Sequence, residues 1–554
     1  MPERTSIERH TGKLRIDRRG LLQASGALAL GGLLAACGGG AAATSTPTTQ
    51  ASASTTTTGG AQTGSSVPAT KAPVSAGSPT KGGSLRVGIV ANPISLDPSP
   101  SNGELFVLRP IYDSLVTFDA QLNPQPGLAE SWETPDDTTM ILHLRKGVKF
   151  HDGTDFDAAA VKANIEHTKD PATGTLFTTD FAPIQAVDVV DSQTVKLHLK
   201  SVTAPLLASF AMQPGQMISP AVLAKYGKDA GRHPSGTGPF MLQEWVENDH
   251  VTVKRNPNYW NPDNIYLDEV VFQVVPDPSV RLTNLKAGQL DYVTTLAFKD
   301  IAPMRGNASY QLIRTWAGAE RLILNNSKPP FNQKPLRQAL QFAIDRAGLD
   351  TNVFFGTGVI GYGPVHPPGS WAFDPNWKPF DRDLNQARAK LKEGGMPDGF
   401  AFTILVSDPI YQQIAQIYQA NFAEIGVKVA IQMEDSAKRV ADQIALNYEA
   451  SLSTWQTTPD PSPALYTPYY STGSGNYLKY SNPQVDDLLD KAVATYDRAQ
   501  RRIYYRQVDQ ILADDAPCPI PYHRARVDAA TTKVKGIQDR ADPQFEVRGV
   551  WLSK

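Results

Sequence analysis

The chain has two cysteines, Cys37 and Cys518, among 554 residues, which excludes a fold held by a disulfide framework. It has no strong charge of either sign. With 53 basic and 55 acidic residues it lacks the basic excess that a nucleic-acid partner favours. Beyond the first forty residues it has no apolar run approaching the roughly 20 residues of a membrane span. Phosphate-loop, HExxH, CxxC and GxSxG patterns are also missing, so nothing points to an ATPase, a zinc protease or a serine hydrolase. The nine histidines are scattered. His10 lies near the N-terminus, and His151 and His366 border loops, whereas a metal centre needs several donors converging. No cofactor is expected.

One letter pattern survives, Gly356-Thr357-Gly358-Val359-Ile360-Gly361. A dinucleotide site needs a helix after those glycines, to point its N-terminus at the pyrophosphate. Here Gly363-Pro364 and His366-Pro367-Pro368-Gly369 follow, so the segment reads as a loop. Asp136-Asp137 and Asp514-Asp515 are neighbours whose side chains diverge, which reads as turns and not as an acid/base pair.

What is present begins at the N-terminus. Residues 1–20 carry six Arg or Lys against three acids and include Arg18-Arg19. An apolar stretch from Leu21 to Ala36 leads to Leu34-Ala35-Ala36-Cys37. A basic region, a short apolar core and small residues before a cleavage point form an export signal. The paired arginines resemble a twin-arginine signal, and Leu-Ala-Ala-Cys resembles the lipobox, in which Cys37 is lipidated. From Cys37 to Lys81 the chain is Ala, Ser, Thr, Gly and Pro with few large apolar side chains, which predicts a disordered tether reaching about 35–40 Å. Cys518, in Ala516-Pro517-Cys518-Pro519, reads as a buried small hydrophobe.

The remainder alternates strands and helices. Strands are expected at Ser84–Val90, Met140–Arg145, Thr194–Leu199, Val251–Lys254, Val270–Val275 and Arg321–Leu324. Helices are expected at Ala158–Lys169, at Leu336–Ile344 behind Pro335, and at Ile410–Ile425, stopped by Gly426. A strand Val427–Ile431 follows, then helices Val485–Tyr496 and Ala499–Leu512. The class is α/β with at least two lobes. Two segments, Trp455-Gln456-Thr457-Thr458-Pro459-Asp460-Pro461 and Trp371-Ala372-Phe373-Asp374-Pro375-Asn376-Trp377, place aromatics and small polar residues together as a pocket wall would. Packing of those aromatics over lobe edges accounts for them equally well.

Several motifs occur in order along the chain. They are Ser95-Leu96-Asp97-Pro98, Ile111-Tyr112-Asp113-Ser114-Leu115, Leu144-Arg145-Lys146-Gly147-Val148-Lys149-Phe150-His151-Asp152-Gly153, Ser235-Gly236-Thr237-Gly238-Pro239-Phe240, Arg255-Asn256-Pro257-Asn258-Tyr259-Trp260 and Tyr480-Ser481-Asn482-Pro483. In this the chain resembles the extracytoplasmic solute-binding proteins of ABC importers, in the family 5 cluster that takes peptides and nickel. The resemblance implies a periplasmic-binding-protein-like fold of the class II, cluster C type, with two mixed-sheet lobes joined by a hinge and a third lobe inserted. Lobe I would be 82–118, 237–326 and 521–554, lobe II 119–236, and lobe III 327–520. It implies a monomer that passes a peptide or other small solute to ABC permease subunits, performs no catalysis and uses no metal.

Within that scheme the solute lies between lobes I and III. Asn92, Ile94 and Ser95 would contact it from lobe I together with Asn325. Tyr362, Trp371, Trp455, Thr457, Thr458 and Asp460 would do so from lobe III. Peptide binders of the family carry an Asp shortly after the lobe III Trp, which pairs with the peptide amine. Here that position falls on Thr458, and a hydroxyl cannot supply the charge-assisted bond an ammonium favours. Either Asp460 takes its place or the solute has no amine to anchor. Peptides, glutathione-like conjugates, oligosaccharides, opines and metal chelates all stay open, with a cell-surface hydrolase and a chemoreceptor adaptor as other classes.

Overall fold

The computed structural model describes residues 77–100, 105–119, 121–175, 177–363, 368–456, 458–540 and 545–554. The expected export signal, Cys37, almost all of the expected tether, Thr457 and His366 lie outside the described residues.

Most expected elements form where their patterns put them. The strand Thr194–Leu199 and the helix Ala158–Lys169 have the expected bounds. The helix Lys334–Ala343 starts with Pro335 in its first turn and buries Leu336, Ala339, Leu340 and Ala343 completely. Each large apolar side chain so buried contributes about 1.5–3 kcal/mol before entropy is counted. Helices Pro409–Ala423, Pro483–Val493 and Arg498–Asp515 follow, each begun by an Asp or Asn whose side chain accepts from the first-turn amides.

The α/β class, with mixed-sheet halves and an inserted unit, is present as expected. The strands of the two main halves join in one eleven-stranded sheet. Along it run Lys428–Met433, Ala401–Val406, Ala450–Gln456, Tyr310–Leu324, Tyr522–Thr531, Tyr292–Val293, Ser84–Ile89, Glu269–Val274, His250–Arg255 and Phe240–Val246. The halves are continuous because of the strand Tyr310–Leu324. Only its last four residues were expected to be extended, but it runs for 15 residues and serves both halves. Its first part, Tyr310–Trp316, pairs antiparallel with Ala525–Thr531. Its second part, Gly318–Leu324, pairs with Ala450–Gln456, and the register slips between Trp316 and Gly318. Such a bulge bends and twists the strand locally.

Three hydrophobic bodies frame these sheets, beside a smaller one around Leu285, Leu290 and Ile301. One packs Leu85, Val87, Phe240, Val253 and Phe272 in the first half of the sheet. Another fills the two faces of the second half, with Leu322, Leu340, Tyr418 and Phe422 on one side and Ile323, Leu465, Tyr505 and Cys518 on the other. The third belongs to a four-stranded antiparallel sheet, Ala129–Asp136, Thr139–Leu144, Thr194–Leu199 and Ile184–Asp191, backed by the helix Ala158–Lys169. Asp136 is an exposed turn residue accepting from the Thr138 amide at 2.9 Å. Asp515 accepts from the Tyr480 hydroxyl at 2.6 Å and from Lys334 at 3.0 Å, so neither aspartate pair forms an acid/base site. Cys518 is buried, and burial pushes its thiol up to about 11.

The glycine-rich segment is a loop followed by a two-residue strand, Val359–Ile360, paired with Tyr522 and His523. Gly358 is there for close packing, because a Cβ at that position would come within 3 Å of the His523 carbonyl oxygen. No phosphate cradle is involved.

Candidate functional site

The two long strands pass side by side from one half of the sheet to the other, and the chemistry-bearing side chains gather beside this crossing. Glu320 is buried there. Its Oε1 accepts from Thr454 Oγ1 at 2.9 Å and lies 3.2 Å from Arg524 Nε. Burial raises the Glu320 carboxyl above its usual range, against the pull of Arg524.

On the first-half side is a cavity of about 400 Å³. It is lined by Asp119 and Leu122, by Thr315 and Arg526 of the long strands, and by Glu546 and Arg548 of the C-terminal segment. Its charges are largely compensated. Arg526 Nε lies 3.1 Å from Asp528 Oδ1, and Arg548 Nη1 lies 2.9 Å from Glu546 Oε1 and pairs also with Asp113. Burial works to raise the Glu546 carboxyl, but Arg548 and then Arg109 outweigh it and hold it at about 2.

On the second-half side two tryptophans, Trp371 and Trp455, pack on the same core and each lies against arginines. Arg321 lies 4.5 Å over the Trp455 ring. Arg498 and Arg501, one turn apart at the start of the helix Arg498–Asp515, stack 5.0 and 5.2 Å from the Trp371 ring. Arg501 Nη2 lies 2.7 Å from Asp460 Oδ1 in a pair with both side chains buried. Asp460 also caps the helix Pro461–Tyr469, accepting from the Ser462 amide at 2.9 Å. Thr458 Oγ1 donates to the Asp460 carbonyl at 2.6 Å. Arg498 donates in turn to Asn123 Oδ1 at 2.5 Å and to the Leu122 carbonyl. Contacts thus run from the cavity through Leu122, Arg498, Trp371 and Arg501 to Asp460 and Thr458.

The structure therefore brings Trp371, Thr458 and Asp460 together, with Trp455 on the adjoining strand. It does not supply an amine anchor from Asp460, whose carboxylate is committed to Arg501 and to a helix end. The other expected contacts are placed elsewhere. Asn325 is fully buried, donating to the Tyr448 carbonyl at 3.0 Å and accepting from Ser327 Oγ at 2.6 Å, so it shapes a turn and presents nothing to a cleft. Tyr362 packs edge-on to Phe380 at 5.8 Å, near Arg346. Asn92 Oδ1 accepts from Trp245 Nε1 at 3.1 Å, and Ser95 Oγ from the Asp97 amide at 3.0 Å, so both hold their loop in shape. Ile94 is 76% exposed on that loop. Among the described residues no group of His, Cys, Asp and Glu is arranged to hold a metal.

Sequence reasoning missed Arg321, Arg498 and Arg501. The signals were an arginine within the apolar strand end Arg321-Leu322-Ile323-Leu324, and two arginines three apart at a helix start, which share one face.

An α/β architecture of two sheet halves with an inserted four-stranded unit is that of a solute-binding protein. Residues 123–477 match the bacterial extracellular solute-binding proteins, family 5, and the chain belongs to that family. It is 32% identical over 447 residues to the glutathione-binding protein GsiB of Shigella dysenteriae, covering 78% of this chain and 87% of the relative. Among solved structures it is similar to the periplasmic binding protein DppA of Helicobacter pylori in complex with the peptide STSA. That match has a TM-score of 0.74 and 27% identity, and covers 86% of this chain and 99% of the other. It is likewise similar to AgaA of A. tumefacien R10 in complex with agropinic acid, with a TM-score of 0.72 and 27% identity, covering 85% and 99%. Proteins of this family are extracytoplasmic binding components of ABC importers and not catalysts. No helix among the described residues is long and apolar enough to cross a membrane.

Proposed function

We propose that the protein captures a peptide-like solute between lobe I (82–118, 237–326 and 521–554) and lobe III (327–520), with lobe II (119–236) inserted. It delivers that solute to its permease and catalyses nothing. The observation that carries this is the crossing of the two long strands beside the 400 Å³ cavity and the Trp371–Trp455 wall. Solutes that can be held without an amine anchor are favoured within this class, because Thr458 and Asp460 are both engaged within the protein. The name of the GsiB relatives supports placing glutathione in the panel of candidates.

The test is a thermal-shift screen with peptides, sugars, glutathione and nickel chelates. A true solute at a hundredfold excess over its dissociation constant stabilises the native state by about 2.7 kcal/mol, a readable rise in melting temperature. A screen in which no compound moves the transition would count against solute capture.

Anchoring is part of the same proposal. Lipidated Cys37 and the tether to Lys81 keep the monomeric binding lobes within about 35–40 Å of the membrane. Cys37→Ala is expected to move the protein from the membrane to the soluble fraction on cell fractionation. If the variant stays with membranes, the anchor lies elsewhere.

A further inference from the structure

The lobe III wall carries donors in excess of acceptors. Arg321, Arg498 and Arg501 gather there: Asp460 pairs with Arg501, buried Glu320 is in the field of Arg321 but is bonded to Thr454 and Arg524, and Asp119 is in the field of Arg498. Arg321 is 4% exposed, with one bond from Nη2 to Ser453 Oγ at 3.1 Å. Its Nε has no hydrogen-bond partner among the described residues. A buried N–H donor left unpaired is costly, so an acceptor that reaches it is bound with a corresponding gain. Arg498 donates to neutral acceptors, Asn123 Oδ1 and the Leu122 carbonyl, and these use part of its five N–H groups. Asp119, the next carboxylate in its field, is tied to Asn123. The ring of Trp371 lies near both Arg498 and Arg501, and its indole Nε1 is buried with no acceptor among the described residues.

These unmet donors lie where an amine-binding carboxylate was expected, so the polarity of recognition is reversed. We infer that the solute is an acid that presents a carboxylate to Arg498 and the Trp371 indole N–H, with Arg321 behind Trp455 adding to the field, and that no free amine is needed. The inference rests on the capture of a peptide-like solute proposed above. It makes Arg498 and Trp371 the residues that set specificity. A planar guanidinium with an indole N–H beside it suits a carboxylate, which accepts two parallel bonds.

The test uses calorimetric titration of the purified full chain with matched compounds. They are glutathione and trialanine, each as the free acid, as the carboxyl-blocked ester, and as the N-acetylated acid. Blocking the carboxylates is expected to weaken binding about thirtyfold, the worth of a charge-assisted bond pair, whereas acetylating the amine changes it less than threefold. Arg498→Gln should lose the same factor for the acids and nothing further for the esters. Trp371→Phe, which keeps the ring and removes the N–H, should lose a smaller factor in the same pattern. Because the ester arm is blind to the carboxylate, a general loosening of the protein by either variant would weaken acids and esters alike and would overturn the assignment. Esters that bind as tightly as acids would also overturn it. If none of the compounds binds the parent chain, the peptide-like reading itself fails, and this inference with it.

Discussion

Asp460→Ala is expected to lower the melting temperature of the empty protein by on the order of 10 °C. The substitution strands Arg501, whose side chain is 3% exposed and whose Nη2 is shared by Asp460, Ser462 Oγ at 3.0 Å and the Tyr505 hydroxyl at 2.9 Å. Removing one partner of a buried pair costs about 3–5 kcal/mol, because the remaining charge has lost its counter-ion and cannot return to water. Loss of the cap on the helix Pro461–Tyr469 adds about 1 kcal/mol. Asp460→Asn separates the two contributions. Asparagine still accepts from the Ser462 amide, so only the charge is lost and the drop is smaller than for alanine. Thermal denaturation followed by circular dichroism measures both. If Asp460 instead anchored a solute amine, the alanine variant would melt like the parent and lose affinity only for amine-bearing peptides. That outcome would sink the structural role of the Asp460–Arg501 pair.

Gly318→Ala is expected to act on the site more than on the fold. Gly318 sits just after the register slip in the long strand, and its φ is not in the left-handed region, so backbone conformation is not the obstacle. Space is. A Cβ there would lie under 3 Å from the Trp455 carbonyl oxygen and from Thr454 Cγ2. The Trp455 contact is backbone and cannot rotate aside, so the neighbouring strand has to move. Overpacking of this kind costs about 1–3 kcal/mol in stability. The displaced strand carries Trp455 and leads directly to Thr458, so a larger effect, a tenfold or greater loss of solute affinity, is expected from misplacing that wall. Titration of any solute found in the thermal-shift screen, parent against variant, decides it. Unchanged affinity would show that the Trp455 strand does not contribute to the binding wall.

Legibility in the sequence differs by element. Local patterns were sufficient for helices: Pro335 marks a start, and the apolar spacing of Leu336, Ala339, Leu340 and Ala343 marks a buried face. The long strand was legible only where it enters a core. From Tyr310 to Trp316 its residues are mostly half-buried, with no clean alternation, because it passes between two halves and neither face is fully covered. The single continuous sheet followed from that unseen length. The site region was legible as aromatic segments, but its electrostatics were not. Trp455 meets Arg321 across a strand pair far apart in sequence, and Asp460 meets Arg501 at a separation of 41. The commitment of Asp460 was partly readable in advance, since an Asp followed by Pro and Ser before an apolar stretch is a helix start.

The paired strands Tyr310–Leu324 and Tyr522–Thr531 have a mechanical consequence. Seven residues of the first, Tyr310 to Trp316, and three more past the bulge, Gly318 to Glu320, are matched to the second across both halves of the sheet. Rotating one half against the other therefore deforms a hydrogen-bonded ribbon and does not unravel a linker. The deformation would concentrate at the unmatched Ala317, where a bulge increases the local twist. Any opening and closing would then proceed with the backbone bonds of the ribbon intact, as an elastic motion on the microsecond-to-millisecond scale of domain movements. Amide hydrogens along both strands should stay protected from exchange whether the cleft is empty or filled.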